Sequence, residues 1–139
     1  MVQKYGGTSV GSPDRIRAVA RRVKEAHDKG WDVAVVVSAM AGETNRLLAL
    51  AHEISPDPDR REVDVLLATG EQVSTALVSL ALHTLGVPAV SLQGHQLKVM
   101  TDSTHGHARI KFIDDSRAQR AFDRGQVVVI AGFQGIDAD

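Results

Sequence analysis

The spacing of apolar residues changes several times along this chain, and each change marks an element. Ile16, Val19, Ala20 and Val23 recur at helical spacing with arginines and lysines between them. Ser12 suits the N-cap of that helix, Pro13 its first position and Asp14 the positive end of its dipole, while Gly30 closes it. From Asp32 to Ser38 the pattern becomes a continuous run, Val33-Ala34-Val35-Val36-Val37. That run predicts a strand of a parallel sheet covered on both faces, since alternation would have meant one wet face. Residues 42–54 read as a helix with Leu47, Leu48, Leu50 and Ala51 apolar, and Ser55-Pro56-Asp57-Pro58-Asp59 is a loop. Glu62 to Leu85 is a long apolar helical stretch ending at Gly86 and Pro88. Thr69-Gly70-Glu71 interrupts it and predicts a kink or local break there.

Val87 to Leu92 reads as a short strand, and Gln96 to Ile113 as irregular or hairpin structure with turn chemistry at Thr101, Asp102, Ser103, Thr104 and Gly106. Asp114 to Arg124 reads as a short helix. Gln126 to Ala131 is a second β-branched run, leading into the loop Gly132-Phe133-Gln134-Gly135. Strands thus alternate with helices, which predicts an α/β domain with a mostly parallel sheet and ligands at the carboxyl ends of its strands. No internal repeat, low-complexity tract or linker interrupts this order. The run at Gln126–Ala131 lies close to the end of the sequence, and a cut after it is expected to leave an unpaired sheet edge and an uncovered apolar face.

Composition narrows the chemistry. The 139 residues suffice for one domain that buries roughly two thirds of its unfolded surface. With 16 basic against 17 acidic residues there is no global field for nucleic acid or an anionic membrane, so small-molecule chemistry is the expectation. The absence of cysteine excludes disulfides, thiolate zinc sites and cysteine nucleophiles, and fits a cytoplasmic setting. The longest apolar run, near Val33 to Ala41, falls short of the roughly 20 residues of a membrane span, and no signal peptide is expected.

The opening segment, Lys4-Tyr5-Gly6-Gly7-Thr8-Ser9-Val10-Gly11, sets a lysine against a glycine pair ahead of a helix. Glycines admit positive φ and let N–H groups approach an anion, the lysine adds charge, and the helix N-terminus is expected to point back at them. The order is wrong for a P-loop, in which the lysine follows the glycines. Ser38-Ala39-Met40-Ala41-Gly42-Glu43-Thr44-Asn45 offers hydroxyls and a helix N-terminus for a carboxylate or phosphate. Thr69-Gly70-Glu71 adds an acid suited to an ammonium group. The three loops, 4–11, 38–45 and 132–135, are expected to converge on one edge of the sheet. Plainer readings exist for each: a solvated Lys4, Ser38 or Thr44 as a helix cap, and Glu71 paired with a basic side chain. His105 and His107 have i, i+2 spacing but no third ligand, so they, His27 and His95 read as solvated, and no metal site is expected.

Four segments in order, Lys4-Tyr5-Gly6-Gly7-Thr8-Ser9-Val10, Val36-Val37-Ser38-Ala39-Met40 with Gly42-Glu43-Thr44-Asn45, Thr69-Gly70-Glu71-Gln72 and Val129-Ile130-Ala131-Gly132-Phe133-Gln134-Gly135, resemble the amino-terminal part of the aspartokinases of the amino-acid kinase family. The resemblance implies a three-layer α/β/α fold and transfer of the γ-phosphoryl of MgATP to the side-chain carboxylate of L-aspartate. That reaction gives 4-phospho-L-aspartate, toward lysine, threonine and methionine, in a homo- or hetero-oligomeric full-length enzyme. By the same resemblance Lys4 is catalytic, and Lys4, Gly6, Gly7, Thr8 and Ser9 hold phosphate. Ser38 and Thr44 hold the aspartate carboxylate, Glu71 its α-ammonium, and Gly132, Phe133, Gln134 and Gly135 supply loop contacts.

In the family, the loop matching residues 132–135 is followed by a Gly-Arg-Gly-Gly-Ser-Asp stretch, the nucleotide-binding half and regulatory ACT domains, none of which lies within residues 1–139. The chain therefore reads as the aspartate-binding lobe of an amino-acid kinase domain, expected to be inactive alone. Two other readings stand beside it. One is a sibling kinase acting on glutamate, carbamate or a nucleoside monophosphate, against which residues 38–45 and 69–71 argue. The other is a module that binds aspartate or phosphate without turnover.

Overall fold

The computed structural model describes residues 1–136. In chain order its elements are β1 (Val2–Tyr5), α1 (Pro13–Asp28), β2 (Ala34–Val37), α2 (Glu43–Ile54), α3 (Arg60–Thr84), β3 (Ala89–Leu92), β4 (Val99–Thr101), β5 (Ile110–Ile113), α4 (Ser116–Phe122) and β6 (Val127–Ala131). The expected elements are present, with strands shorter than the apolar runs that announce them. The helix start is as anticipated: the Ser12 hydroxyl accepts the Arg15 N–H at 3.3 Å, Pro13 opens the helix, and Gly30 follows the C-cap Lys29 at φ +84°.

β1, β2, β6 and β3, in that order, form a four-stranded parallel sheet, with Lys4 beside Val36, Val36 beside Ile130, and Leu92 also beside Ile130. β6 is thus interior, and the sheet's edges are β1 and β3. The chain reaches β6 from β3 through β4, β5 and α4, and that return sets β6 between two strands already placed. β4 and β5 form a separate antiparallel hairpin with an irregularity between Met100 and Thr101. β5 is exposed at all four positions, which leaves Ile110, Phe112 and Ile113 at the surface.

Two cores flank the sheet, consistent with three layers. On one face Ile16, Val19, Ala20 and Val23 of α1 and Val78 and Leu82 of α3 pack on Val35, Val37, Val127 and Val129. On the other, Ala118 and Ala121 of α4 pack with Leu92 and Val128, next to Leu97 and Val99. This second layer is a seven-residue helix covering β3 and β6. Over β2, Ala34 and Val36 stay half-buried while Val35 and Val37 are fully buried. The continuous valine run therefore does not mean equal cover on both sides, because the second helical layer does not reach that strand.

α3 runs unbroken for 25 residues through Thr69-Gly70-Glu71, against the predicted kink. Gly70 is there for proximity: a Cβ would sit 3.0 Å from the Ala39 Cβ and 3.2 Å from the Glu43 Cγ. Tight packing of α3 on the loop ahead of α2 accounts for the glycine, and the ladder of helix hydrogen bonds continues past it. By length and composition alone α3 could cross a membrane, with mean hydropathy 1.5 in its most apolar window. In this fold it is a core helix, whose Gly70, Glu71, Ser74, Thr75, Val78, Ser79 and Leu82 are buried.

The buried centre of the sheet sets the cost of substitution. Val129→Ala is expected to destabilise the chain by about 2 kcal/mol through lost transfer energy and a residual cavity, whereas Val2→Ala, at a position 74% exposed, should stay within about 0.5 kcal/mol. Urea unfolding followed by circular dichroism measures both.

Candidate functional site

The carboxyl ends of β1, β2 and β6 open on a cavity of about 730 Å³, lined by Lys4, Gly7, Thr8, Ser38, Thr44, Glu71, Gly132 and Phe133, among others. The three loops converge as their positions in the sequence require. A parallel sheet directs every strand's carboxyl end to one edge, and the connecting turns gather there.

Lys4 projects from the edge strand on the sheet face that α4 leaves open, beside Val36, which lines the same cavity. Its ammonium pairs with no carboxylate among the described residues and stands exposed. The turn that follows is closed by the Ser9 N–H on Gly6 O at 2.9 Å, and the Arg15 guanidinium reaches back to Thr8 O at 2.5 Å. Neither Gly6 nor Gly7 adopts positive φ, so the expected left-handed turn is absent. Gly7 is required by close approach, since a Cβ would fall 2.8 Å from the Ala39 carbonyl oxygen. Around Gly6 the space is open.

The helix N-terminus at the cavity belongs to α2; the first turn of α1, expected to face the glycines, is not among the lining residues. α2 starts after Gly42, in the left-handed region at φ +82°, with no side-chain cap. Ser38 and Thr44 therefore do not cap it, and neither hydroxyl makes a hydrogen bond among the described residues. First-turn N–H groups, two free hydroxyls and Lys4 surround one opening, an arrangement suited to negative oxygen atoms.

Glu71 is buried, 6% exposed, with backbone N–H groups for partners rather than a basic side chain. Its carboxylate accepts the Phe133 N–H, and the Ala39 and Gly132 N–H groups also face it. Burial raises its pKa above the ordinary value, and these three donors oppose that rise. One carboxylate on α3 thereby ties the loops after β2 and β6.

Gly6, Ser9, Gln134 and Gly135 do not line the cavity, and the last two face a second one. Leu67 is a lining residue not singled out from the sequence. It lies four residues before Glu71 on α3, a spacing that places both on one helix face. Arg15, which props the first turn, carries no motif to announce it. Among the described residues no three histidine, aspartate or glutamate side chains gather as metal ligands. His27 Nε2 lies 3.1 Å from Gly125 O and His105 Nδ1 3.5 Å from Asp64 Oδ2.

A mostly parallel sheet with flanking helices, its carboxyl edge carrying an unpaired lysine, an uncapped helix start and two unbonded hydroxyls, defines an α/β domain with a polar opening at its strand ends. The chain belongs to the amino acid kinase family, which matches residues 1–139. It is 57% identical over 137 residues to the aspartate kinase Ask_LysC of Stutzerimonas stutzeri, covering 99% of this chain and 33% of that protein. Among solved structures, an aspartate kinase from Synechocystis superposes with TM-score 0.82 at 50% identity, over 97% of this chain and 22% of that one. E. coli aspartokinase III in complex with aspartate and ADP gives 0.81 at 24% identity, over 99% of this chain and 41% of that one, and shows the same fold. The chain spans about a third of the length of the curated relatives it matches.

Glu71 sets a pH dependence. Its folded pKa lies above the ordinary 4.5, so between those two values the folded state holds more proton than the unfolded one. Stability contributed by this group rises as pH falls through the raised pKa toward about 4.5 and is lost on the way back up. Asp102 and Asp114 have lowered pKa values and act below the ordinary carboxylate range, with the opposite sign. Urea midpoints between neutral pH and about 4.5 should therefore show this acid-side gain in the unsubstituted chain and not in Glu71→Gln.

Proposed function

We propose that this chain is the aspartate-binding lobe of an aspartate kinase, the part that presents the side-chain carboxylate of L-aspartate to the γ-phosphoryl of MgATP. The observation that carries the reading is the unpaired Lys4 at the mouth of the cavity that also holds the uncapped start of α2. Relatives named aspartate kinase at 50–57% identity support it.

In this reading the aspartate carboxylates sit against the N–H groups of the first turn of α2 and the Ser38 and Thr44 hydroxyls. The α-ammonium meets Glu71, whose two oxygens offer about four acceptor positions against three facing N–H groups. Lys4, with the turn amides around Gly6 and Gly7, neutralises charge on the transferring phosphoryl group. A β-carboxylate oxygen attacks the γ-phosphorus, the bond to the ADP oxygen breaks, and the products are 4-phospho-L-aspartate and ADP. The acceptor is already ionised at neutral pH, so no general base is required. Positioning and electrostatics carry the reaction, as phosphoryl transfer demands. Cytoplasmic biosynthesis toward lysine, threonine and methionine, with an oligomeric full-length enzyme, completes the reading.

Two measurements test it. L-Aspartate added to the isotopically labelled chain should shift the amide resonances of Ala39, Thr44, Gly132 and Phe133, and succinate, which lacks the ammonium, should shift them less. Equal responses would remove Glu71 from recognition, and none would remove the aspartate site. Joined to the remaining two thirds of the Stutzerimonas relative, the chain should give ATP-dependent aspartyl hydroxamate with hydroxylamine. Lys4→Ala should lower that rate by about 10²–10³-fold with aspartate affinity within about twofold. Parallel loss of affinity and rate would instead assign Lys4 to substrate binding.

A further inference from the structure

Gln134 lies in the loop after β6 yet turns away from the acceptor cavity. It walls a second cavity of about 600 Å³ between α3, the β4–β5 hairpin and the loop itself. Both ends of its amide are engaged. Oε1 accepts the Gly94 N–H at 2.9 Å, and Nε2 donates to Ala68 O at 3.1 Å. Ala68 is on α3, three residues before Glu71, and Gly94 follows β3.

The surroundings leave little play. A Cβ on Gly94 would fall 2.7 Å from the Gln134 Cβ, and one on Gly135 would fall 2.3 Å from the Thr101 Cγ2. One residue further on, Ile136 is stitched to β4, accepting from Thr101 N and donating to Val99 O, both at 2.8 Å. On the cavity side, the Phe133 N–H goes to Glu71, while the Gly132 N–H is given to Val37 O at 2.9 Å and also faces Glu71.

We infer that Gln134 is a positioning residue, a strut from α3 to the loop after β3 that fixes where the Gly132 and Phe133 N–H groups stand above Glu71. Its meaning for catalysis rests on the aspartate-kinase reading; the strut itself does not. The task suits an amide, which can accept at one end and donate at the other in fixed opposite directions. Glutamate would keep the bond from Gly94 and set an oxygen against the Ala68 carbonyl. Leucine would lose both bonds and leave the loop held by Glu71 on one side.

Hydrogen exchange of backbone amides, read by NMR on the ligand-free chain, tests the strut directly. In Gln134→Leu, exchange at Gly94, Gly132 and Phe133 should quicken by about tenfold, the scale of one hydrogen bond, with Val35 and Val129 unchanged. In Gln134→Glu, Gly94 should keep its protection while Phe133 loses it. The aspartate dissociation constant, read from the amide shifts, should rise several-fold in both. Should Gln134→Leu fail to fold, Gln134→Glu decides: protection kept at Gly94 and lost at Phe133 is expected, and protection kept at both overturns the strut. Unchanged exchange at Phe133, or quickened exchange spread evenly over the sheet, overturns the strut whether or not aspartate binds. Failure of the unsubstituted chain to bind aspartate overturns the substrate reading and leaves the strut to be decided by exchange alone.

Discussion

The site depends on one buried carboxylate held by backbone donors. Glu71 sits on a helix that crosses behind the sheet, and its oxygens draw in N–H groups from the loops after β2 and β6. Without an acceptor there, the Phe133 N–H would have to find water or another partner, whereas the Gly132 N–H also has Val37 O. Burial makes the charge costly and the N–H groups make it tolerable, and that balance sits at the floor of the cavity. The closeness of α3 to the β2–α2 loop belongs to the same arrangement, since Gly70 beside Glu71 brings helix and loop within van der Waals contact.

The sheet carries this arrangement asymmetrically. α1 and α3 cover one face, burying Val35, Val37, Val127 and Val129, while α4 covers only the β3–β6 half of the other. The half left open carries Val2, Lys4, Ala34 and Val36, so Lys4 projects from the least covered part of the sheet. An ammonium there keeps its water until an anion replaces it, which a fully covered face would not allow.

Much of the fold was legible because the signals were local and redundant. Ser12, Pro13 and Gly30 bracket α1 by capping chemistry alone, and the β-branched runs mark β2 and β6. Convergence of three loops followed from strand polarity. The failures share a cause, which is that the deciding contacts are distant in sequence. Gly70 reads as a helix breaker until Ala39 is seen against it, and Gly7 reads as a flexible turn residue until the Ala39 carbonyl appears. Glu71 invites a basic partner within the chain, and its partners instead include the amide of a residue 62 positions away. The incomplete second layer was equally invisible, because a valine run reports hydrophobic demand and says nothing about how long the covering helix is.

The bare start of α2 would give an anion in the cavity a structural role. Helices usually bring their own capping oxygen; this one begins at a left-handed glycine and brings none. A small anion seated there would serve as the missing cap, finishing a turn of secondary structure while being recognised. Recognition and local folding would then be one event, and the acceptor would be the last residue-sized piece of its own binding site.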